Sequence, residues 1–539
     1  MHRSTPRLLV ALSLAAWFLF AALSAQAETL RWAANRDIGS LDPDSFGDTF
    51  TLAFLNHVYE GPVRYDGSLK VEPALATSWE VIEPTVWRFH LRQGVRFHNG
   101  APLTADDVVA SLVRATDDLS PLKGNLSAYK FARAVDPLTV DVTLSSRYPL
   151  LLNDLTNIFI FSKPWLVANH TEVATDVGRH VEGYATSHAN GTGPFTVESR
   201  AADSRTVLAA NPGWWDTPRH NLEGIEFLPI NSDATRIAAL ISGEVNFSNA
   251  IPLQALSRLE GTRAVKPLLA TELRTVFFAF NFAATLQNGQ PNPLRDRRVR
   301  QALYQALDIE GIRRAVMRGL SRNTGALVAP AIPGYRPEQD VRLPYDLAAA
   351  KRLLAEAGVP EELELLMVCT SEGYVNEEAL CQAATAMWAK LGIKVQLQLA
   401  PRTVATQRRV AGQFDITPLG WANEPAIDAE SLLLQVVHSK TGGAGVFNWG
   451  GWGGPALDAP IDAAANELDT VKRLALESRA LEMAGEDILF LPLHQQPMAW
   501  AIRPEVAQVV QLPDNKARHW LTRMAPTPGT PQEKPKGTP

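Results

Sequence analysis

Beyond residue 27 the chain alternates strand-patterned and helix-patterned segments over about 500 residues, and this alternation constrains the fold more than any single motif. Trp87, Phe89 and Leu91 interleave with Arg88 and His90, the period-2 pattern of a half-buried strand, and Pro84-Thr85 marks the turn of a hairpin from Trp79 to Leu91. Thr104 with Asp107 three residues on reads as a helix start, with Val108, Val109, Leu112 and Val113 as the apolar face. Later, strands are expected at Ile225–Ile230, Val276–Phe282, Leu363–Cys369, Ile393–Leu399 and Ile488–Leu493. Helices are expected at Asp233–Ser242, Val299–Leu307, Leu347–Ala357, Glu377–Lys390 and Thr470–Gly485. No period of 20 to 50 residues repeats, which excludes a solenoid. The expectation is an α/β protein with mixed sheets, too long for one core to serve.

The first residues read as a secretory leader. Arg3 and Arg7 precede an apolar run from Leu8 to Leu23, and Ala25-Gln26-Ala27 supplies the small residues of a cleavage site before Glu28. The run falls short of the roughly 20 residues that span a bilayer, so residues 1–27 are expected to be a signal peptide rather than an anchor. The formal net charge is −6, and about −8 without Arg3 and Arg7, which gives no basic field for nucleic acid. The segment 526–539, rich in Pro, lacks anything to bury and is expected to be disordered. Cys369 and Cys381 are the only cysteines. In an oxidising compartment they either form a disulfide or remain two buried thiols, and neither has ligand-spaced partners for a metal.

Motifs for phosphate binding, zinc proteolysis and serine hydrolysis are missing from the sequence. His180 and His188 flank a Gly-containing stretch with no carboxylate or Cys at ligand spacing, and Asp106-Asp107 are adjacent on a helix, so their side chains diverge. The chain reads as a non-enzyme without a cofactor.

From Glu72 onward a recognisable series of blocks appears. Pro73-Ala74-Leu75-Ala76-Thr77-Ser78-Trp79-Glu80, then Trp87-Arg88-Phe89 to Phe97-His98-Asn99-Gly100, then Pro102-Leu103-Thr104-Ala105-Asp106-Asp107-Val108 open it. Gly191-Thr192-Gly193-Pro194-Phe195, Asn211-Pro212-Gly213-Trp214-Trp215, Leu391-Gly392-Ile393 and Gly420-Trp421 continue it in order. The set resembles the family 5 extracellular solute-binding proteins, the oligopeptide, dipeptide and nickel binders of ABC importers. That resemblance implies a two-lobed periplasmic-binding-protein-like fold with a hinge and an extra subdomain in a large N-terminal lobe. The N-terminal lobe would be residues 28–280, joined by 486–525, and the second lobe 281–485, with hinges near Asn281 and from Gly485 to Pro492. It also implies a periplasmic monomer that passes a peptide or peptide-sized solute to permease subunits at the inner membrane. A non-peptide solute such as an opine, sugar or chelated metal is the alternative, and an exported hydrolase a more distant one.

In this family the Gly-Trp segment of the second lobe faces the cleft. Here Trp421 would supply an apolar wall, and Glu424 or Asp428 a carboxylate for a ligand amine. Asn423-Glu424-Pro425 also suits a turn, and Asp428 suits a helix cap. The acidic residue that oligopeptide binders carry before Asn-Glu-Pro is missing, since only Ala422 separates Trp421 from Asn423. Asn448 and Trp449, in the Gly-rich run 442–454, and Arg408 complete the candidate ligand-binding set; Arg402, Arg408 and Arg409 precede Gly412, where one of them could reach an anionic ligand or all could lie on a solvated face. From the first lobe, Ser40–Asp42 and Gly191–Phe195 are candidates.

Overall fold

The computed structural model describes residues 28–177, 181–360, 362–371 and 373–526. The leader, His180 and the tail from residue 527 lie outside the described residues.

Two long antiparallel strands, Lys266–Phe280 and Phe490–Ile502, run through the whole molecule. Their pairing has two parts. Lys266–Thr271 pairs with Pro497–Ile502, Thr275–Ala279 pairs with Phe490–Gln495, and the register shifts between Thr271 and Thr275. The outer edges of the two parts carry different sheets. Beyond the first part lie Phe247–Ser248, Thr29–Ala34, Gly224–Pro229, Arg205–Ala210 and Phe195–Ala201. Beyond the second lie Ile416–Trp421, Glu364–Thr370 and Lys394–Ala400. Each half is mixed. Thr29–Ala34 is parallel to Gly224–Pro229, and Glu364–Thr370 to Lys394–Ala400, while the spanning pair is antiparallel. The result is the mixed α/β, two-lobed arrangement expected.

Strand periodicity explains why each half-sheet is covered on both faces. Val276, Phe278 and Phe280 point into one apolar cluster with Trp388 and Leu365, whereas Phe277 and Ala279 point into another with Leu432 and Trp452. In the first lobe Trp32 and Trp500 share one cluster, and their neighbours Ala33 and Ala501 share the opposite one. Burying each such aromatic side chain stabilises the fold by roughly 1.5–3 kcal/mol.

The extra subdomain is a four-stranded antiparallel sheet in the order Ala76–Glu83, Val86–Leu91, Thr139–Leu144 and Tyr129–Asp136. Helix Ala105–Ala115 packs on it, begun by a capping box in which the Asp107 carboxylate accepts from Thr104 N at 2.7 Å. Trp87 and Phe89 lie in the core of this lobe.

Asn281 and the Gly485–Pro492 stretch lie on the second-lobe side of the register shift. Asn281 is buried and donates from Nδ2 to Gly412 O and Phe414 O, both at 2.9 Å. The residues at the crossing itself are Glu272, Leu273 and Arg274. Leu273 N donates to Pro513 O at 2.9 Å, which ties the crossing to the returning C-terminal segment.

Candidate functional site

A cavity of about 470 Å³ opens at this crossing, within the roughly 300–1,000 Å³ of small-molecule sites. Thr49 lines it from the first lobe and Arg274 from the crossing. Its other walls belong to the second lobe.

The strand Ile416–Trp421 delivers one wall. Trp421 ends it half-buried, donates from Nε1 to Ser431 Oγ at 3.1 Å, and meets Phe447 edge-on with ring centroids 5.0 Å apart. Phe447 in turn meets Trp449 edge-on at 5.6 Å. These contacts fix three half-exposed aromatic rings as one apolar surface on the cavity. After Trp421 the chain turns sharply. Asn423 takes a positive φ of 59°, which Asn tolerates better than most residues, and its Nδ2 donates to Asp428 O at 2.9 Å to close the loop.

Glu424 projects from this loop onto the cavity, with Lys516 Nζ from the returning segment 4.0 Å away. Burial pushes its carboxyl up to about 7, opposed by the nearby Lys516 charge. The loop is also held by the first lobe. Tyr65 OH is placed to donate to Pro425 O at 2.9 Å or Ala426 O at 3.0 Å, and Asn153 Nδ2 donates to Ala426 O at 2.6 Å.

A further wall is built from helix Arg402–Val410 and the start of helix Glu377–Ala389, and Trp449 packs against the cluster that contains Ala405 of the first. Arg402, Thr406 and Arg409 share one helical face and line the cavity. Glu377 is fully buried beneath it and accepts from Thr370 N at 2.8 Å, Thr370 Oγ1 at 3.0 Å, Tyr374 N at 3.0 Å and Arg409 at 3.3 Å. Arg274 donates to Glu272 at 3.3 Å and to Gly420 O at 3.2 Å, and its guanidinium lies 6.0 Å from the Tyr374 ring centre.

Of the residues singled out in the sequence, Trp421, Asn423, Glu424 and Trp449 come together on the cavity. Asp428 sits behind the loop, where it caps helix Ala429–Leu432 and accepts from Arg473 at 2.7 Å. Asn448 is buried in the Gly-rich turn, donating to His438 O at 2.9 Å and Trp452 O at 2.8 Å. Arg408 turns to Gln398 on the neighbouring strand. In the first lobe, Asp42 is locked in a buried bidentate pair with Arg114 at 2.6 and 2.7 Å, and Gly191 and Gly193 press against the Val58 and His57 carbonyls. Neither segment lines the cavity. Of the three arginines before Gly412, Arg402 and Arg409 line the cavity and Arg408 does not, while Arg274, Thr370, Tyr374 and Glu377 carried no signal in the sequence and reach the site through the tertiary packing. Cys369 and Cys381 are joined by a disulfide just below this wall.

Two α/β lobes joined by a strand crossing, with a small-molecule-sized cavity at the joint, define a solute receptor. The chain belongs to the bacterial extracellular solute-binding proteins, family 5, whose model matches residues 70–444. It is 25% identical over 505 residues to the probable deoxycholate-binding periplasmic protein YgiS of Escherichia coli K12, covering 89% of this chain and 90% of that one. It is also 25% identical over 495 residues to the periplasmic murein peptide-binding protein MppA of the same strain, covering 86% and 87%. Among solved structures, HbpA2 from Haemophilus parasuis superposes with a TM-score of 0.78 at 24% identity, covering 92% of this chain and all of that one.

Proposed function

We propose that the protein is a periplasmic receptor that captures a peptide-sized solute between its lobes and hands it unchanged to the permease of an ABC importer. The leader expected at residues 1–27 would export it. The observation that carries this reading is the cavity at the strand crossing, with Thr49 on one lobe, Arg274 at the joint and the aromatic surface on the other. Closure would turn about the register shift at Thr271–Thr275, where the strand pairing is already interrupted. The likeness to a murein peptide binder and to a probable deoxycholate binder supports a solute of this size.

Mass spectrometry of small molecules released from the purified, exported protein tests the reading directly. A stoichiometric solute that raises the melting temperature of stripped protein, and is recovered intact after incubation, is the expected result. Conversion of that solute into a product would overturn it. Trp421→Ala should weaken its binding by about tenfold or more, because the flat wall would be lost.

A further inference from the structure

The charges around the cavity specify more than a size. Each carboxylate at or beneath the cavity already faces a protein cation or donors. Glu377 receives four hydrogen bonds, one of them from Arg409. Glu272 is held by Arg274 at 3.3 Å and by Gln496 Nε2 at 2.6 Å. Glu424 already faces Lys516 Nζ at 4.0 Å, so its charge has a protein partner. Asn423 Oδ1, buried without a partner among the described residues, is a neutral acceptor suited to an amide or hydroxyl.

The cations are disposed otherwise. Arg402 lines the cavity with no acidic partner among the described residues, on the same helical face as Arg409. Arg409 uses Nε on Thr417 Oγ1 at 2.8 Å and one terminal nitrogen on Glu377, which leaves the other terminal nitrogen without a protein partner among the described residues. Arg274 likewise uses only Nε and one terminal nitrogen on the protein. Guanidinium donors are therefore free on a cavity that the Trp421, Phe447 and Trp449 rings also line, and the Glu424 carboxylate already has Lys516 beside it.

We infer that the solute is a carboxylate with a flat apolar body and no free ammonium group, its anionic end held at Arg402 and Arg409 and its body laid on the aromatic surface. This inference rests on the reading that the cavity holds the solute. A zwitterionic dipeptide would bring an ammonium group with no available counter-ion, and leaving a desolvated charge unpaired is costly.

Isothermal titration of the stripped mature protein with four matched compounds tests it: Ala-Phe, N-acetyl-Ala-Phe, Ala-Phe amide and N-acetyl-Ala-Phe amide. The expected result is that N-acetyl-Ala-Phe, the sole compound with a carboxylate and no ammonium, binds at least tenfold tighter than the other three. Arg402→Gln, an exposed substitution, should cut that advantage to less than threefold. Equal or tighter binding of Ala-Phe overturns the inference and leaves the capture reading standing. An advantage that survives Arg402→Gln unchanged overturns the assigned anion site. Binding of none of the four overturns the inference for peptide-derived solutes, and the capture reading falls too if no solute is released from the exported protein.

Discussion

Asp428 caps helix Ala429–Leu432 through Glu430 N and also takes the Arg473 guanidinium, which reaches it from 45 positions away. Removing the carboxylate leaves a buried arginine whose remaining ion-pair contact among the described residues is Glu477, at 2.8 Å. Asp428→Ala should therefore lower stability by about 3 kcal/mol in urea unfolding, in the range for breaking a buried ion pair. Asp428→Asn, which keeps the cap, should cost less. Next to it, burial and the Asp428 charge push the Glu430 carboxyl up to about 7 from its ordinary 4.5, against the pull of Arg473. The folded state thus holds this proton more tightly than the unfolded chain, so its contribution to stability is full below pH 4.5 and is lost as pH rises through 7. Glu430→Gln should gain about 1–3 kcal/mol over wild type at pH 8 and little at pH 4.5. The difference between the two proteins across pH isolates this group from Glu60, whose carboxyl burial also pushes up to about 7. At this scale the cap at Asp428 was legible, because Asp before a helix has a local meaning. Arg473 was not, since nothing in its own neighbourhood points to a partner 45 residues earlier.

The two spanning strands show where element-level reading succeeds and stops. Val276–Phe282 and Ile488–Leu493 read as strands because they are apolar runs buried on both faces, and they correspond to the second-lobe halves of strands 15 and 13 residues long. The other halves escaped notice because Lys266, Glu272, Gln495 and Gln496 break the apolar pattern at the crossing and along the first lobe. The cavity walls follow from that same pairing, so Arg274 and Glu377 could not be found from spacing. A further tie lies just below the wall. The Cys369–Cys381 bond joins strand Glu364–Thr370 to helix Glu377–Ala389, whose first residue supports Arg409. Replacing both cysteines with Ala should destabilise the protein by about 2–4 kcal/mol in thermal or denaturant unfolding under oxidising conditions. Adding reductant should bring wild type down toward the double variant and leave the variant unchanged.

At the scale of the whole molecule the question is what sets the balance between closed and open lobes. The loop Asn423–Asp428 belongs to the second lobe, yet Tyr65, Asn153 and Lys516 of the first lobe and its returning segment face it. Neither Tyr65 nor Asn153 lines the cavity, so these hydrogen bonds bridge the lobes without touching a solute, and if they form only on closure they bias the molecule toward its closed form. A receptor whose competent form is only partly populated binds in proportion to that fraction, so weakening the closed form weakens binding even with every solute contact intact. Tyr65→Phe and Asn153→Ala each remove hydrogen bonds worth about 0.5–1.5 kcal/mol apiece. Each should loosen binding of the released native solute by about two- to tenfold, mainly through faster dissociation. Because both side chains meet at Ala426 O, the double variant should lose less than the two single losses combined. Small-angle scattering of the solute-free variants should show a larger radius of gyration than wild type, which converges on the wild-type value at saturating solute. Unchanged affinity and an unchanged solute-free radius would mean that this contact does not bias closure, leaving the crossing at Thr271–Thr275 to set the balance alone.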